Sequence, residues 1–277
     1  MDSMKSRLLT AAIGIPFAVV VLILGEIFHA VMYVVCALIC AFMVIELLSA
    51  KKLHKKLFVL VPCVLFALAQ PLLIPLNLGM FPTYVFLFLL FLSMLMFHER
   101  ISFSDVAFSA IGVLAIVFGI SSILVVPNII GKYYSLFFVM CLGIPWMADG
   151  GAYFAGVYLG RHKLCPKISP KKTVEGFFGG IVAGTVSAVI VGLIFGGLIF
   201  REIDFNYLTL LLLGALVSMA SVVGDLSFSI IKRENGIKDY GSIFPGHGGF
   251  LDRFDSVLFS APVVYFIASF LPLFVIK

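Results

Sequence analysis

The sequence is poor in charged residues. Only 12% of its 277 residues are Asp, Glu, Lys or Arg, and 62% are hydrophobic, whereas a soluble domain carries roughly 25% charged residues. This balance excludes an ordinary soluble domain. Many apolar runs approach the length of about 20 residues that a membrane-spanning helix needs, and the alternating pattern of an outer-membrane barrel is absent. The sequence therefore predicts an all-α, polytopic integral membrane protein.

Other absences narrow the chemistry. The five cysteines form no CxxC pair, and we interpret them as small core residues or idle thiols. The pattern GxxxxGK[ST] does not occur, which excludes a P-loop nucleotide site. The chain has no basic soluble domain, and no nucleic-acid partner is expected.

Apolar segments predict about nine transmembrane helices. We place them at roughly 8–25, 28–50, 57–75, 83–97, 107–127, 134–150, 176–199, 207–231 and 256–276. All but three of the 19 Lys and Arg residues then fall on one side, which the positive-inside rule assigns to the cytoplasm. The N-terminus is therefore expected in the cytoplasm and the C-terminus outside, with the first span retained rather than cleaved as a signal sequence.

We expect one membrane-embedded unit with two regions. Residues 1–133, with about five spans, form a predicted scaffold, because their acidic residues Glu46, Glu99 and Asp105 lie near span ends, close to interfacial water. Residues 134–277, with about four spans and the cytoplasmic loops 161–175 and 232–255, form the predicted catalytic region. The expected location is a bacterial inner membrane, with the active site facing the cytoplasm.

The first polar cluster begins where an apolar run closes at Asp149, which we interpret as a carboxylate lining a cavity or as a helix end packed on a neighbour. In the loop that follows, Ser169 and Pro170 predict a rigid turn that opens a helix at Lys171. Such a helix start would offer N–H groups to an anion, although positive-inside charge alone is the alternative. The predicted substrate-binding residues here are Asp149, Lys167, Ser169, Lys171, Lys172, Thr173 and Glu175.

Glycines mark the span that follows. Gly176, Gly180 and Gly184 have the small-xxx-small spacing that permits close helix packing, either inside the chain or between subunits.

The second polar cluster runs from Ser218 to Asp255. Polar residues three or four positions apart share one helix face, and an ionised Asp225 in a span needs a cation or a water-filled cavity. A hard cation such as Mg²⁺ suits a carboxylate, although an Asp–Lys pair between helices is the alternative. The glycine-rich loop 245–249 offers backbone N–H groups to phosphate.

Asp225 and Asp252 are the predicted metal ligands, for one or two Mg²⁺ ions. Two ions would bridge the attacking and leaving oxygens of an in-line displacement. The predicted catalytic residues are Asp225, Lys232, Arg233, Lys238, Asp239, His247, Asp252, Arg253 and Asp255. The further predicted substrate-binding residues are Ser221, Ser229, Gly248 and Gly249.

These segments carry a family resemblance. The run Ser229-x-Ile-Lys-Arg-x4-Lys238-Asp239-x-Gly241-x2-Phe244-Pro245-x-His247-Gly-Gly-Phe-x-Asp252-Arg253-Phe-Asp255 resembles the signature of phosphatidate cytidylyltransferases, also called CDP-diacylglycerol synthases. The segments Asp149-x2-Ala-Tyr153 and Ser169-Pro-Lys-Lys-Thr-x-Glu-Gly176 are also similar to that family. The resemblance covers about the C-terminal half, from Asp149 to Asp255.

The resemblance implies a function in phospholipid biosynthesis. The phosphate of phosphatidic acid would attack the α-phosphorus of CTP in a Mg²⁺-dependent reaction, giving CDP-diacylglycerol and pyrophosphate. It also implies metal-binding carboxylates at Asp225 and Asp252, a K⁺ ion beside Mg²⁺, a homodimer and a cavity facing the cytoplasm.

Three alternatives stay open at this stage. A CTP-dependent polyprenol or phytol kinase would direct its lipid acceptor to the γ-phosphorus instead, and the unbroken long motif argues against it. An ion-coupled transporter or lipid flippase would also place charges at broken helices, but here they collect at one side of the membrane. The third alternative is a non-catalytic scaffold that keeps the family fold.

Overall fold

The computed structural model describes residues 2–130, 132–244 and 248–276. The helices are α1 (Asp2–Ile27), α2 (Ala30–Ala50), α3 (Leu57–Leu73), α4 (Phe81–Met96), α5 (Phe103–Ile130), α6 (Tyr134–Leu159), α7 (Val174–Ile194), α8 (Tyr207–Glu234), α9 (Leu251–Phe254) and α10 (Val257–Phe270). Short strands β1 (Lys163–Cys165) and β2 (Ser169–Thr173) form one antiparallel sheet. Strands β3 (Ile203–Phe205) and β4 (Phe274–Ile276) form another. Helices dominate because they satisfy their own backbone groups, as a lipid environment requires.

Each predicted span overlaps a helix, but two predicted ends are wrong. Helix α6 continues to Leu159, beyond residue 150, so Asp149 lies within the helix and not at its end. The last predicted span, 256–276, is helical only at Val257–Phe270, and its final residues form strand β4. Within the described ranges, six helices are long and apolar enough to cross a membrane, namely Ala30–Ala50, Leu57–Leu76, Phe103–Ile130, Tyr134–Leu159, Val174–Ile199 and Tyr207–Glu234. Shorter apolar helices cover the other three segments, at Pro16–Ile27, Phe81–Met96 and Val257–Phe270. The chain is therefore an all-α integral membrane protein, and the count of nine crossings and the orientation of the termini stay predictions.

The basic loop after α6 differs from the expectation. Residues Ser169–Thr173 form strand β2, whose Thr173 pairs with Lys163, so the predicted helix start at Lys171 is wrong. Helix α7 begins at Val174, because the extended backbone of Thr173 caps it and the Thr173 hydroxyl accepts the Gly176 N–H at 3.1 Å.

The chain divides into two compact units. The first unit comprises Met1–Leu124 and Glu234–Phe254, and the second comprises Val125–Arg233 and Asp255–Lys277. The loop 234–254 lies in the first unit. The assignment of residues 1–133 as scaffold and residues 134–277 as catalytic region stays a prediction.

In the first unit, α2 packs on α3 and meets α5 where Leu47 lies against Gly112. Asp105, in the first turn of α5, forms ion pairs with two lysines of the link between α2 and α3. Its oxygens lie 3.2 Å from the Nζ of Lys51 and 2.8 Å from that of Lys56. These pairs hold the start of α5 to that link.

In the second unit, α6 and α7 pack closely through small residues. A Cβ atom built at Gly180 would lie 2.9 Å from the carbonyl oxygen of Ala148 and 3.0 Å from the Cβ of Ala152. Further along α7, Gly184 faces Ser218 of α8. The predicted close packing is thus confirmed as an internal contact, and it draws together the three helices that carry the polar residues of this unit.

We expect Gly180→Ala to destabilise the protein, although alanine is the better helix former by about 1 kcal/mol. The added methyl group would meet backbone as well as side chain, and overpacking costs about 1–3 kcal/mol. Thermal unfolding of the detergent-solubilised protein would show a lower midpoint. Gly197→Ala is the control, because a Cβ atom there has nothing within 4 Å. Equal midpoints for the two variants would contradict this packing.

Candidate active site

The central acidic residue of the second unit is Asp225, in the C-terminal part of α8. Because α8 is continuous from Tyr207 to Glu234, the predicted polar face exists. Ser218 and Ser221 on that face are buried, and the Ser229 hydroxyl donates to Asp225 Oδ1 at 3.2 Å. This bond orients the carboxylate from one helical turn further along.

A lysine from the β1–β2 hairpin neutralises Asp225. Lys172 of β2 forms an ion pair with Asp225 Oδ2, and the side chains are 25% and 27% exposed respectively. The Asp–Lys pair that the sequence left as an alternative is therefore present. It connects the two polar clusters of the sequence, and both groups stay partly accessible to a ligand.

A second ion pair lies at the start of α10. Lys232 Nζ is 3.7 Å from Asp255 Oδ2, and both side chains are buried. Burial raises the pKa of the Asp255 carboxyl above its usual range, and the nearby carboxylates of Asp225 and Asp149 raise it further, against the opposing effect of Lys232. The carboxylates of Asp225 and Asp149 therefore lie near enough to Asp255 for their charges to act on it.

The hairpin is closed at its base by Glu175. Its carboxylate accepts the backbone N–H of His162 at 3.2 Å, and its Oε1 lies 2.7 Å from His162 Nδ1. Lys171 and Lys167 are exposed on the same hairpin, and Ser169 is half-buried. The contact between Glu175 and His162 therefore fixes the end of the hairpin, and the exposed lysines extend from it.

In the first unit, Asp252 holds the glycine-rich loop. Its Oδ2 accepts the N–H of Tyr240 at 2.8 Å and that of Gly249 at 3.0 Å. Gly248 has φ +84°, a left-handed conformation that glycine adopts without strain, and the Phe244 N–H donates to its carbonyl oxygen at 2.9 Å. The Asp252 carboxylate of α9 thus links the backbone of Tyr240 to that of Gly249.

The other predicted residues have more varied surroundings. Lys238, Asp239, Arg233 and Arg253 are exposed, whereas Ser221 is fully buried and its hydroxyl donates to the Ser218 carbonyl oxygen at 2.8 Å. The prediction for His247 lies outside the described residues. The roles of all these residues stay predictions.

Sequence reasoning assigned Glu46 to the scaffold and missed its contact with the glycine-rich loop. The Glu46 carboxylate accepts the backbone N–H groups of Phe250 and Leu251. The signal that could have drawn attention to it is a lone acidic residue in an otherwise apolar helix, because such residues in membrane segments are costly and usually have a defined partner.

The described part of the chain contains no group of three or more His, Cys, Asp or Glu side chains that could hold a metal ion. This does not argue against Mg²⁺, which proteins usually bind through one or two carboxylates while waters and substrate phosphates complete the shell. Asp225 fits such a site, since its carboxylate already attracts the Lys172 ammonium group.

Comparison with known proteins identifies relatives over the whole chain. The model of the Cytidylyltransferase family matches residues 5–271, well beyond the C-terminal half that carries the resemblance. A phosphatidate cytidylyltransferase of Bacillus subtilis (strain 168) is 34% identical over 279 residues, covering 97% of this chain and 99% of the relative. One of Aquifex aeolicus (strain VF5) is 46% identical over 139 residues, covering 50% of this chain and 48% of the relative.

We expect Thr173→Ala to destabilise the start of α7, because the buried hydroxyl that accepts the Gly176 N–H is lost. Removal of a threonine cap costs about 1 kcal/mol. Thr173→Ser is the matched control, since it keeps the capping oxygen. In a thermal unfolding experiment in detergent, the alanine variant should unfold at a lower temperature than the serine variant. A serine variant as unstable as the alanine variant would show that the cap contributes little.

Proposed function

Because the chain belongs to the cytidylyltransferase family, we propose that it transfers the cytidylyl group of CTP to phosphatidic acid and so forms CDP-diacylglycerol. The observation that carries this proposal is the likeness to the Bacillus subtilis phosphatidate cytidylyltransferase over 97% of this chain. An integral membrane protein suits a lipid acceptor, and a basic hairpin suits a triphosphate donor.

The proposed reaction is a displacement at phosphorus. An oxygen of the phosphatidate phosphate forms a bond to the α-phosphorus of CTP. The bond from the α-phosphorus to the oxygen that bridges to the β-phosphorus breaks, and pyrophosphate leaves with the electron pair. Because the attacking phosphate is already anionic, a strong base is unnecessary, and the rate depends on positioning and charge neutralisation.

Lys172 and Asp225 are the central pair of the proposed site. Asp225 would hold Mg²⁺, and the bound ion would neutralise charge on phosphate oxygens. Asp252 stays a metal ligand predicted from the sequence. The Lys172 ammonium group would then bind phosphate oxygens in place of the Asp225 carboxylate. The partial exposure of both side chains supports such an exchange of partners.

The basic hairpin would bind the triphosphate. Lys171 and Lys167 are exposed on it, and the bond between Glu175 and His162 fixes its base. Lys232, which faces Asp255, would add a further positive charge to the site in the second unit.

The protein's place in the cell follows from the same proposal. We propose nine crossings of a bacterial inner membrane, with the N-terminus and the active site on the cytoplasmic side, where CTP is found. A homodimer and a K⁺ ion beside Mg²⁺ are further proposals, which rest on the resemblance of the signature sequence.

The function is tested with detergent-purified protein, phosphatidic acid, Mg²⁺ and CTP labelled either in the cytidine ring or at the γ-phosphate. We expect ring label in the lipid phase and an equal amount of pyrophosphate. Lipid labelled only from the γ-phosphate would indicate a kinase instead. If folded protein that binds CTP labels no lipid, the transferase proposal is wrong.

We expect Asp225→Asn to fold normally and to lose Mg²⁺-dependent turnover by about 100-fold or more, because the site loses the charge that would hold the cation. Turnover measured across a Mg²⁺ titration checks this. Asp204→Asn, the same change on strand β3 of the same unit, is the control and should retain activity. Wild-type turnover in Asp225→Asn would overturn the metal assignment.

We expect Lys171→Ala to raise the KM for CTP by about 10-fold, since a hydrogen bond to a charged group contributes about 1.5–3 kcal/mol. Lys172→Ala should raise it as well, and it should also destabilise the protein because Asp225 loses its partner. Initial rates against CTP concentration give the KM values. Lys55→Ala removes the same charge from an exposed lysine of the first unit and serves as the control. An unchanged KM in both hairpin variants would exclude the hairpin from the nucleotide site.

A further inference from the structure

Glu46 is a buried carboxylate in the apolar helix α2, with only 6% of its surface exposed. Its Oε1 accepts the Phe250 N–H at 3.1 Å, and its Oε2 accepts the Leu251 N–H at 2.8 Å. Burying a carboxylate is costly unless hydrogen bonds compensate for the lost water. The backbone N–H groups of Phe250 and Leu251, which lie far from Glu46 in the sequence, provide this compensation.

The segment from Gly241 to Leu251 approaches Glu46 so closely that two of its glycines have no room for a side chain. A Cβ atom at Gly241 or at Gly249 would collide with the Glu46 carboxylate. Phe42, one helical turn before Glu46, stacks on Phe250 with ring centres 5.3 Å apart and planes 10° apart. The loop is therefore docked on α2 by a polar and an aromatic contact together.

Three consecutive backbone amides, those of residues 249–251, connect Glu46 to the predicted catalytic residue Asp252. The Gly249 N–H donates to Asp252 Oδ2 at 3.0 Å, while the next two N–H groups, of Phe250 and Leu251, donate to Glu46. Two carboxylates thus share three consecutive amides. The backbone just before Asp252 is therefore held by the Asp252 side chain at Gly249 and by Glu46 of helix α2 at the next two residues.

We propose that Glu46 is a positioning residue for the predicted metal ligand Asp252. It acts by fixing the backbone of residues 249–251, which directly precede Asp252. The inference rests on the proposed function, in which Asp252 is a metal ligand. It assigns a role in the reaction to helix α2, which lies in the region that sequence reasoning assigned to the scaffold. A buried residue that only stabilised the fold would affect unfolding and would leave the Mg²⁺ dependence of the folded enzyme unchanged.

The test uses the full-length protein in detergent and the variant Glu46→Gln, which keeps the size of the side chain and removes its charge. We expect faster hydrogen–deuterium exchange in the peptide that contains residues 249–251. We also expect a higher Mg²⁺ concentration for half-maximal rate and a kcat lower by about 10- to 100-fold, as for other residues that orient metal ligands.

Asp105→Asn is the matched control, because Asp105 is a buried carboxylate of the same unit whose partners are Lys51 and Lys56. It should lower the thermal midpoint without altering exchange in the loop or the Mg²⁺ dependence. Gly241→Ala disturbs the contact from the side of the loop, since its methyl group would meet the Glu46 carboxylate. It should therefore reproduce the kinetic effects even if Glu46→Gln fails to fold.

Faster exchange with an unchanged kcat and Mg²⁺ dependence would overturn the positioning role and leave the proposed function intact. Unchanged exchange in both Glu46→Gln and Gly241→Ala would overturn the contact itself. If the wild-type protein makes no CDP-diacylglycerol, the proposed function and this role in it are both wrong, whereas the exchange data still decide whether Glu46 holds the loop.

Discussion

Every charge buried in this apolar chain needs a partner, and the kind of partner separates the three best-defined carboxylates. Asp105 is held between two lysines, Asp225 is paired with Lys172, and Glu46 accepts only backbone amides in the bonds described above. In a low-dielectric interior, an unpaired carboxylate costs far more than in water. The positions of these residues therefore determine where loops and hairpins attach to the helices.

The difference between the partners has chemical consequences. The side chains of Lys172 and Asp225 are both partly exposed. The lysine can therefore exchange the carboxylate for a phosphate, and the aspartate can exchange the ammonium group for a metal ion, with little net change in charge. Two backbone amides cannot leave Glu46 without unfolding the loop, because the groups belong to the main chain. The first arrangement suits a site that binds and releases ligands, and the second suits a fixed support.

Close helix packing is what brings the charged residues of the second unit together. Gly180 and Gly184 allow α7 to approach α6 and α8 closely, and α6, which carries Asp149, also packs on α10, which begins just after Asp255. Replacing such glycines with larger residues would separate the helices before it removed any charge. In this unit, the packing of small residues therefore helps to determine the distances between the charged side chains.

Composition and local spacing are sufficient to predict the membrane class, the polar face of α8 and the close packing of α7, as well as the apolar segments that are helical in the described part of the chain. These properties depend on composition and on residues three or four positions apart, so a linear pattern carries them. Candidate site residues near Asp225 stand out because charge is rare in this chain, and their roles stay predictions. The family resemblance was visible for the same reason, since the motif stands out in an apolar background.

The partners of these residues depend on the tertiary fold, which no local pattern predicts. Phe250 lies 204 positions after Glu46, and no local pattern relates residues so far apart. The strand at Ser169–Thr173 was also decided by its pairing with Lys163–Cys165, which replaced the helix start suggested by Pro170. The ion pair of Lys172 with Asp225 likewise joins residues that are far apart in the sequence. A charge in a sequence indicates that a partner is needed, but folding selects the partner.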